Sequence, residues 1–171
     1  VERFPETVSR EEICAASGVA MEHVTAVHSA RHVQKMKGAC LSKRTVAEIP
    51  LTKASFEAMV ASATLAVMAA RRNAFAVTRP AGHHATKEIA QGFCFFNNVA
   101  VATHALLQEG KHVCIIDIDG HHGNGTESIF RHENNVLLCS IHQEHAYPFK
   151  GEAKNVGRCE SRGRVVNIPV P

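Results

Sequence analysis

The segment Asp117-Ile118-Asp119-Gly120-His121 places two carboxylates and an imidazole within five residues, directly after an apolar run. If this segment ends a β-strand, side chains two residues apart point to the same face, about 6–7 Å apart along the chain. Asp117, Asp119 and His121 would then face one side. A carboxylate and an imidazole that converge on one point suit Zn²⁺, which takes such ligands at about 2.0–2.2 Å. Asp117 lies one step deeper and is better placed to organise the site than to bind the ion.

Two other interpretations of this segment are possible. It could be a polar strand end that turns in solvent. However, two aspartates, two histidines and an asparagine lie within eight residues, and burying so many polar groups costs free energy that a functional site would explain. It could be a calcium loop, because D-x-D-G resembles the start of an EF-hand. The twelfth position of such a loop is Ser128, where a bidentate glutamate is needed, and the preceding segment has the pattern of a strand. The sequence therefore favours a zinc site.

A second cluster is the tandem pair His83-His84, which follows Arg79-Pro80-Ala81-Gly82. Imidazole has an unperturbed pKa of about 6.5, which suits proton transfer near neutrality. A histidine pair alone is weak evidence, since core or surface histidines are the more common explanation. Beside a metal motif at the end of a neighbouring strand, the pair is better explained as two groups that divide proton transfer between them.

An alternation of helices and strands must position these clusters. The predicted helices cover 10–37 in pieces, 54–72, 99–109 and 126–132, and the predicted strands cover 75–78, 112–119, 136–142 and 164–171. Ser9 with Glu12 has the form of a capping box, and Gly18 and Gly38 are the expected helix ends. Either Asn97 or Asn98 would cap the third helix, and Gly110 would end it.

This alternation predicts an α/β fold with a mostly parallel central sheet flanked by helices on both faces. The run 113–116 is apolar on both sides, as expected of a central parallel strand. The last predicted strand begins where the sequence stops, whereas a parallel sheet normally continues through further crossover helices. We therefore expect residues 1–171 to form a single partial domain that is incomplete at its C-terminus.

The composition limits the classes of function. A chain of 171 residues with 45% hydrophobic and 20% charged residues suits one globular domain, and a net charge of +3 does not demand nucleic acid as a direct ligand. No apolar run approaches the roughly 18 residues needed to cross a membrane, and the first residues lack the form of a signal peptide. The expectation is an intracellular protein, cytoplasmic or nuclear, whose six cysteines are reduced because no C-x-x-C pair is present.

Longer motifs in the chain resemble the histone deacetylases, whose superfamily includes acetylpolyamine amidohydrolases and bacterial deacetylase-like proteins. The motifs are RPAGHHA at 79–85, GFCFFNNVAVA at 92–102, DIDGHHGNGTESIF at 117–130 and SIHQ at 140–143, with VHSARHV at 27–33 also in keeping. Asn124 in HHGNGT, in place of the HHGDG form, is more similar to the class II and bacterial branches. The resemblance implies an arginase/deacetylase type of α/β fold over the whole chain.

The resemblance also implies catalytic roles. His84 would act as general base on the attacking water and then as acid to the leaving amine, while His83 would help to polarise the water. Asp117 would support His83, and Asn124 would orient His84. Because Asn124 is neutral, it would hold the ring but raise its pKa less than an aspartate would.

Two positions match metal ligands of the family. Asp119 and His121 would be two of its three zinc ligands. The third ligand, another aspartate, and the tyrosine that stabilises the oxyanion would follow Pro171, since no aspartate occurs after Asp119. Without them we expect weak zinc binding, and loss of an oxyanion donor alone can cost about 10²–10³ in rate. A structural K⁺ or Na⁺ is also implied, held by backbone oxygens of Asp117, Asp119 and His121 together with Ser140 and Ile141.

The resemblance places an acyl-lysine tunnel beside these groups. Phe93, with Gly92 next to it, matches one wall, and either Tyr147 or Phe149 is the candidate for the opposite wall. An apolar tunnel would accept the neutral acyl-lysine chain and disfavour a charged ammonium, whose desolvation is expensive. The predicted function is zinc-dependent hydrolysis of acetyl-lysine amides in histones or other proteins, with no direct nucleic-acid or membrane partner. The alternatives are hydrolysis of acetylpolyamines or another small amide, and a non-catalytic truncated isoform that binds partners.

Overall fold

The computed structural model describes residues 8–171, without the side chains of residues 10, 14 and 19. These residues form five α-helices, a short antiparallel hairpin and a three-stranded parallel sheet. In chain order the elements are α1 Arg10–Val27, α2 Ala30–Leu41, β1 Thr45–Val46, β2 Ile49–Pro50, α3 Ser55–Arg72, α4 Asn98–Gln108, β3 Val113–Asp117, α5 Asn124–Phe130, β4 Val136–Gln143, a 3₁₀ turn Cys159–Ser161 and β5 Val165–Val170.

The parallel sheet has the order β3-β4-β5. Asp117 pairs with Ser140, which in turn pairs with Asn167, so polar residues lie in one row near the carboxyl edge of the sheet. On the face that carries this row, Leu138 and Val165 are almost completely buried. The predicted α/β fold with a parallel sheet is therefore confirmed.

The second face of this sheet is exposed. Helices were expected on both faces, whereas the elements of residues 8–171 leave one face open to solvent. Ile116 is 66% exposed, and its neighbours on that face follow the same pattern. They are Cys114, Ile141, Val166 and Ile168. Residues 113–116 are apolar on both sides of the strand, which indicates that both faces of the sheet are suited to burial. Within residues 8–171, only one of the two faces is buried.

The predicted strand at 75–78 is wrong, because this extended segment belongs to neither sheet. The Val77 side chain is 86% exposed. Aromatic and β-branched residues favour extended backbone, but a ladder also needs a neighbouring strand whose hydrogen bonds it can share. The composition of residues 75–78 favours extended backbone, but it carries no information on whether a neighbouring strand is present.

Two of the predicted helix caps are confirmed. The Ser9 hydroxyl accepts a hydrogen bond from the Glu12 backbone N–H at 3.2 Å, and the Ser9 N–H donates to Glu12 Oε2 at 3.0 Å, which completes a capping box. The Asn97 side chain accepts from the Ala100 N–H at 3.0 Å and caps α4. These caps satisfy backbone donors that the first turn of a helix leaves without partners.

The predicted helix ends at Gly18 and Gly38 are wrong, since both glycines lie inside helices with open space around them. The break between α1 and α2 comes at His28, whose backbone is extended. Ser29 then starts α2 by accepting a hydrogen bond from the His32 N–H at 3.1 Å. Glycine lowers helix stability without preventing helix, and tertiary packing of the flanking residues outweighs its cost.

The core lies between the helices and the buried face of the sheet. Its largest fully buried apolar side chains come from α1, α2, α3, the loop before α4, α4, β4 and β5; they are Val24, Met36, Met59, Phe96, Val101, Val136, Leu138 and Val165. The described cysteine thiols, Cys40, Cys94, Cys114, Cys139 and Cys159, are all free, while the Cys14 side chain lies outside the described residues. No helix within residues 8–171 combines the length and the apolar character needed to cross a bilayer.

Candidate active site

The loop that carries the two histidines is anchored against α3 and α4. The Pro80 carbonyl accepts hydrogen bonds from the Ser62 hydroxyl at 2.8 Å and from Asn98 Nδ2 at 2.9 Å. Gly82 follows at a point where a Cβ would collide with the Asn98 backbone nitrogen. Only glycine allows this close approach, which explains why it precedes the histidine pair.

The same loop is tied to α5 further along the chain. The His83 carbonyl accepts from the Thr126 N–H at 3.1 Å, and the Ala85 carbonyl accepts from Asn97 Nδ2 at 3.1 Å. Asn97 Nδ2 also lies 3.1 Å from Thr126 Oγ1. Backbone groups on both sides of the histidines are thus satisfied, so the pair is held by a fixed scaffold.

His83 is held by a carboxylate. Its Nδ1 lies 3.0 Å from Asp117 Oδ2, and because an ionised carboxylate only accepts, Nδ1–H is the donor. Burial alone would raise the pKa of Asp117, but the hydrogen bond from His83, electrostatic attraction to His83 and His122, and the hydrogen bond from the Asp119 N–H together outweigh it and the pKa is lowered. A Cβ at Gly123 would collide with Asp117 Oδ2, so glycine leaves room for this carboxylate.

His84 is held by a neutral amide instead. Its Nδ1 lies 2.8 Å from Asn124 Oδ1, so the ring donates Nδ1–H and its Nε2 is the basic nitrogen of the neutral form. Burial lowers the pKa of His84, and the neighbouring His83 acts in the same direction. A buried imidazole that is neutral near pH 7 can accept a proton.

Asp119 and His121 lie together just after β3. The His121 N–H donates to Asp119 Oδ1 at 2.8 Å, and His121 Nδ1 lies 3.3 Å from the same oxygen. An oxygen and a nitrogen donor this close match the ligand types of Zn²⁺, although they supply two of its usual four positions. Within residues 8–171, no group of three or more His, Cys, Asp or Glu side chains is placed to hold a metal ion.

These two pairs of residues converge on one cleft. The His83 and His84 ring centroids are 4.0 Å apart, and those of His84 and His121 are 6.1 Å apart. The cleft has a volume of about 370 Å³, and its lining includes Asp119. The sequence-predicted proton-transfer and metal-binding residues therefore share a single concave site.

The walls of this cleft include three of the four residues predicted for the tunnel. Gly92 and Phe93 line one side, and the Tyr147 ring stands edge-on to His84 at a centroid distance of 5.0 Å. Phe149 does not line the cleft, and its side chain is 78% exposed. Between the two candidates for the opposite wall, the geometry places Tyr147 at the site and Phe149 outside it.

The residues predicted for a monovalent cation lie at the carboxyl edge of the sheet. Ser140 is buried, pairs with Asp117 across the sheet, and its hydroxyl lies 2.9 Å from His142 Nδ1. The Ile141 side chain points to the exposed face. The cation site stays a prediction.

Two cleft residues were missed by sequence reasoning. Glu48 reaches the cleft from the turn between β1 and β2, far from the histidines in sequence, and no motif signals it. Cys94 lies within the quoted motif GFCFF but was assigned no role. It is 1% exposed, and burial raises the pKa of its thiol to about 11, so the thiol is neutral at physiological pH.

Comparison with known proteins identifies the family of this chain. The family model described as "Histone deacetylase domain" matches residues 2–171. Acetylpolyamine amidohydrolase 1 of Pseudomonas aeruginosa is 41% identical over 72% of this chain and 38% of its own length. The histone deacetylase-like amidohydrolase of the same organism is 34% identical over 95% of this chain and 46% of its own length.

Solved structures show the same fold. The HDA15 HD domain superposes with a TM-score of 0.82 at 34% identity, covering 86% of this chain and 46% of that one. The chain spans less than half the length of the two curated relatives named above. A family match that extends from residue 2 to residue 171 shows that the chain belongs to the histone deacetylase domain family.

Proposed function

We propose that this chain carries the proton-transfer residues and two zinc ligands of an enzyme that hydrolyses acetyl-lysine amides in histones or other proteins. The observation that supports this most is the convergence of two differently held histidines with Asp119 and His121 on one cleft. Family membership supports the same class of reaction.

In the proposed mechanism, His84 does the proton transfer. Its Nε2 takes a proton from the attacking water and later delivers it to the leaving amine nitrogen. Asn124 keeps Nδ1–H engaged, so that the ring stays in the tautomer with a basic Nε2. Asp119 and His121 would hold Zn²⁺, which when bound supplies Lewis-acid polarisation of the acyl carbonyl and a lowered pKa for water.

The walls of the cleft suit a neutral acyl chain. Phe93 and Tyr147 provide aromatic surface on two sides of the histidines. An uncharged acetyl-lysine chain loses little on entering such a cleft, whereas a lysine ammonium would be desolvated at high cost.

The test is zinc-dependent release of acetate from an acetyl-lysine peptide. His84→Ala should abolish release, because the base and acid are both lost, while the exposed His112→Ala should retain it. Retained activity in His84→Ala would reject the assigned base. Release of acetate that does not depend on zinc would contradict the proposal itself.

A second candidate substrate class is the acetylpolyamines. One relative with that activity in its name is 41% identical, and the Glu48 carboxylate lines the cleft, where it could attract a cationic amine of the substrate. Comparison of an acetylpolyamine with an acetyl-lysine peptide separates the two classes. If polyamines are the substrate, Glu48→Gln should raise KM for the acetylpolyamine more than for the peptide.

A further inference from the structure

We propose that a second pocket, separate from the cleft, binds a small phosphate-bearing anion. It has a volume of about 440 Å³ and is lined by α5 and by the loops at 86–91 and 149–158. We call it the basic pocket because four cationic side chains line it, namely Arg131, Lys150, Lys154 and Arg158. Asn124 lines it too, whereas His84, the hydrogen-bond partner of Asn124, lines the cleft.

The basic pocket carries more positive than negative charge, because its four cationic side chains face two carboxylates, Glu127 and Glu152. Lys154 forms an ion pair with Glu152 at 2.5 Å. Arg131, Lys150 and Arg158 have no carboxylate within ion-pair distance among the described residues. Uncompensated like charges around a concavity create a positive potential that attracts anions.

The other carboxylate of the pocket, Glu127, is engaged within the wall. Its Oε2 lies 3.0 Å from His122 Nε2 and accepts from Asn167 Nδ2 at 2.8 Å. Burial alone would raise the pKa of Glu127, but these hydrogen bonds, together with electrostatic attraction to His122 and Arg131, outweigh it and the pKa is lowered. Glu127 is thus an ionised group whose Oε2 is already satisfied by two side chains from the protein.

The two arginines are held next to each other by backbone contacts. The Arg158 N–H donates to the Arg131 carbonyl at 3.0 Å, and the Ser161 hydroxyl lies 2.6 Å from both arginine carbonyls. Both side chains line the pocket, so an anion bound there would reduce the repulsion between their charges. Guanidinium groups also match the geometry of phosphate oxygens.

One buried polar atom of the pocket residues has no partner. His122 is 2% exposed and its Nδ1 makes no hydrogen bond within the described part of the chain. Its Nε2 lies 3.0 Å from Glu127 Oε2 and is the donor, so Nδ1 is left as an acceptor. An unpartnered buried polar atom is costly. Hydrogen phosphate offers an O–H donor for this nitrogen, and its other oxygens can accept from the cationic side chains of the pocket.

The test is isothermal titration of the chain with orthophosphate and with diphosphate in physiological salt. Lys150→Ala and Arg158→Ala should each weaken binding about tenfold, because each removes one charge-assisted contact. Arg162→Ala is the matched control, since this exposed arginine lies four positions from Arg158 and does not line the pocket. Thermal unfolding of each variant checks that the fold is retained.

A further variant separates the basic pocket from the cleft. His121→Ala removes a proposed zinc ligand, so phosphate bound to a metal in the cleft would be lost in this variant, whereas phosphate in the basic pocket would remain. Unchanged binding in Arg158→Ala and Lys150→Ala, loss of binding in His121→Ala, or no binding of either anion would each overturn the proposal.

Discussion

His83 and His84 are adjacent in sequence but differ in what holds them. His83 donates to the carboxylate of Asp117, and His84 donates to the amide of Asn124. A charged acceptor stabilises a protonated ring more than a neutral acceptor does. The amide therefore orients His84 while favouring its protonated form less than a carboxylate would, and burial keeps the ring in the neutral form that a general base requires.

Replacement of Asn124 tests this division of roles. Asn124→Leu should lower kcat for acetyl-lysine hydrolysis by about 10²-fold, because His84 loses the acceptor that fixes its tautomer. Asn124→Asp retains an acceptor oxygen and should retain most of kcat. Steady-state kinetics of both variants measure this effect. Equal kcat values for Asn124→Leu and wild type would contradict the proposed role of Asn124 in fixing the His84 tautomer.

At the scale of elements, a buried histidine joins the α1–α2 junction to the loop before α4. His28 Nδ1 lies 2.9 Å from the Thr86 carbonyl, while its Nε2 accepts from the Asn97 N–H at 2.9 Å. This pattern requires a neutral ring with the proton on Nδ1. Burial, with a smaller contribution from the neighbouring His32, lowers the pKa of His28 to about 4.

The low pKa of His28 predicts acid destabilisation. Since a histidine in the unfolded chain titrates near 6.5, the unfolded state binds this proton first as the pH falls. The free energy of unfolding should therefore fall between about pH 6.5 and pH 4, by about 3 kcal/mol from this group. Urea unfolding at several pH values measures the loss.

A variant assigns this loss to His28. His28→Gln should be less stable at neutral pH and should show a smaller decrease on acidification, whereas the exposed His112→Gln should behave like wild type. An unchanged pH dependence in His28→Gln would show that other groups cause the acid transition.

The loop that forms part of the basic pocket is fixed by close packing at Gly151. Its φ is +93°, and a Cβ there would collide with the His142 and His122 rings. Gly110 also has a positive φ, of +74°, but nothing lies within 4 Å of a Cβ added there. At both positions a side chain would strain the backbone because φ is positive, but only at Gly151 would it also collide with neighbouring atoms.

This pair provides a matched comparison of stability. Gly110→Ala should cost only the strain of a positive φ, whereas Gly151→Ala should cost about 1–3 kcal/mol more because of the collision. Denaturant unfolding measures both. Equal losses would show that the loop can move away from the histidine rings.

For the whole molecule, the main question is whether the two proposed zinc ligands are enough to bind metal. Asp119 and His121 are two donors, and no larger ligand group occurs within residues 8–171. The chain also spans less than half of its curated relatives, 38% and 46% in two cases. The expectation that residues 1–171 form a partial domain stays a prediction.

Zinc titration tests the metal site directly. Because two protein ligands leave half of a tetrahedral site to water, we expect weak binding that dialysis against metal-free buffer removes. His121→Ala should eliminate that binding, and His112→Ala should not. One zinc retained per chain after dialysis would contradict this expectation and would also argue against a non-catalytic form.

Much of the site could be predicted from sequence because its residues come in short local motifs. The short D-x-D-x-H motif keeps its three side chains near one another, although β3 ends at Asp117 and the predicted alternation along a strand as far as Asp119 and His121 is wrong, since both lie in the bend that follows. The order of helices and strands predicts a parallel sheet with a common carboxyl edge. The capping signals at Ser9 and Asn97 depend on neighbours three residues away, so they too are local. Such features need no knowledge of long-range contacts.

The sequence by itself determined the parallel α/β class, the two histidine-containing motifs and the caps, since each depends on residues close together in the chain. Only the tertiary structure decided that Gly18 and Gly38 lie within helices and that 75–78 lies outside the sheet. It also placed Tyr147 rather than Phe149 beside His84, and brought Glu48 to the cleft. These outcomes depend on packing and hydrogen bonds between segments far apart in sequence, which no local pattern of residues encodes.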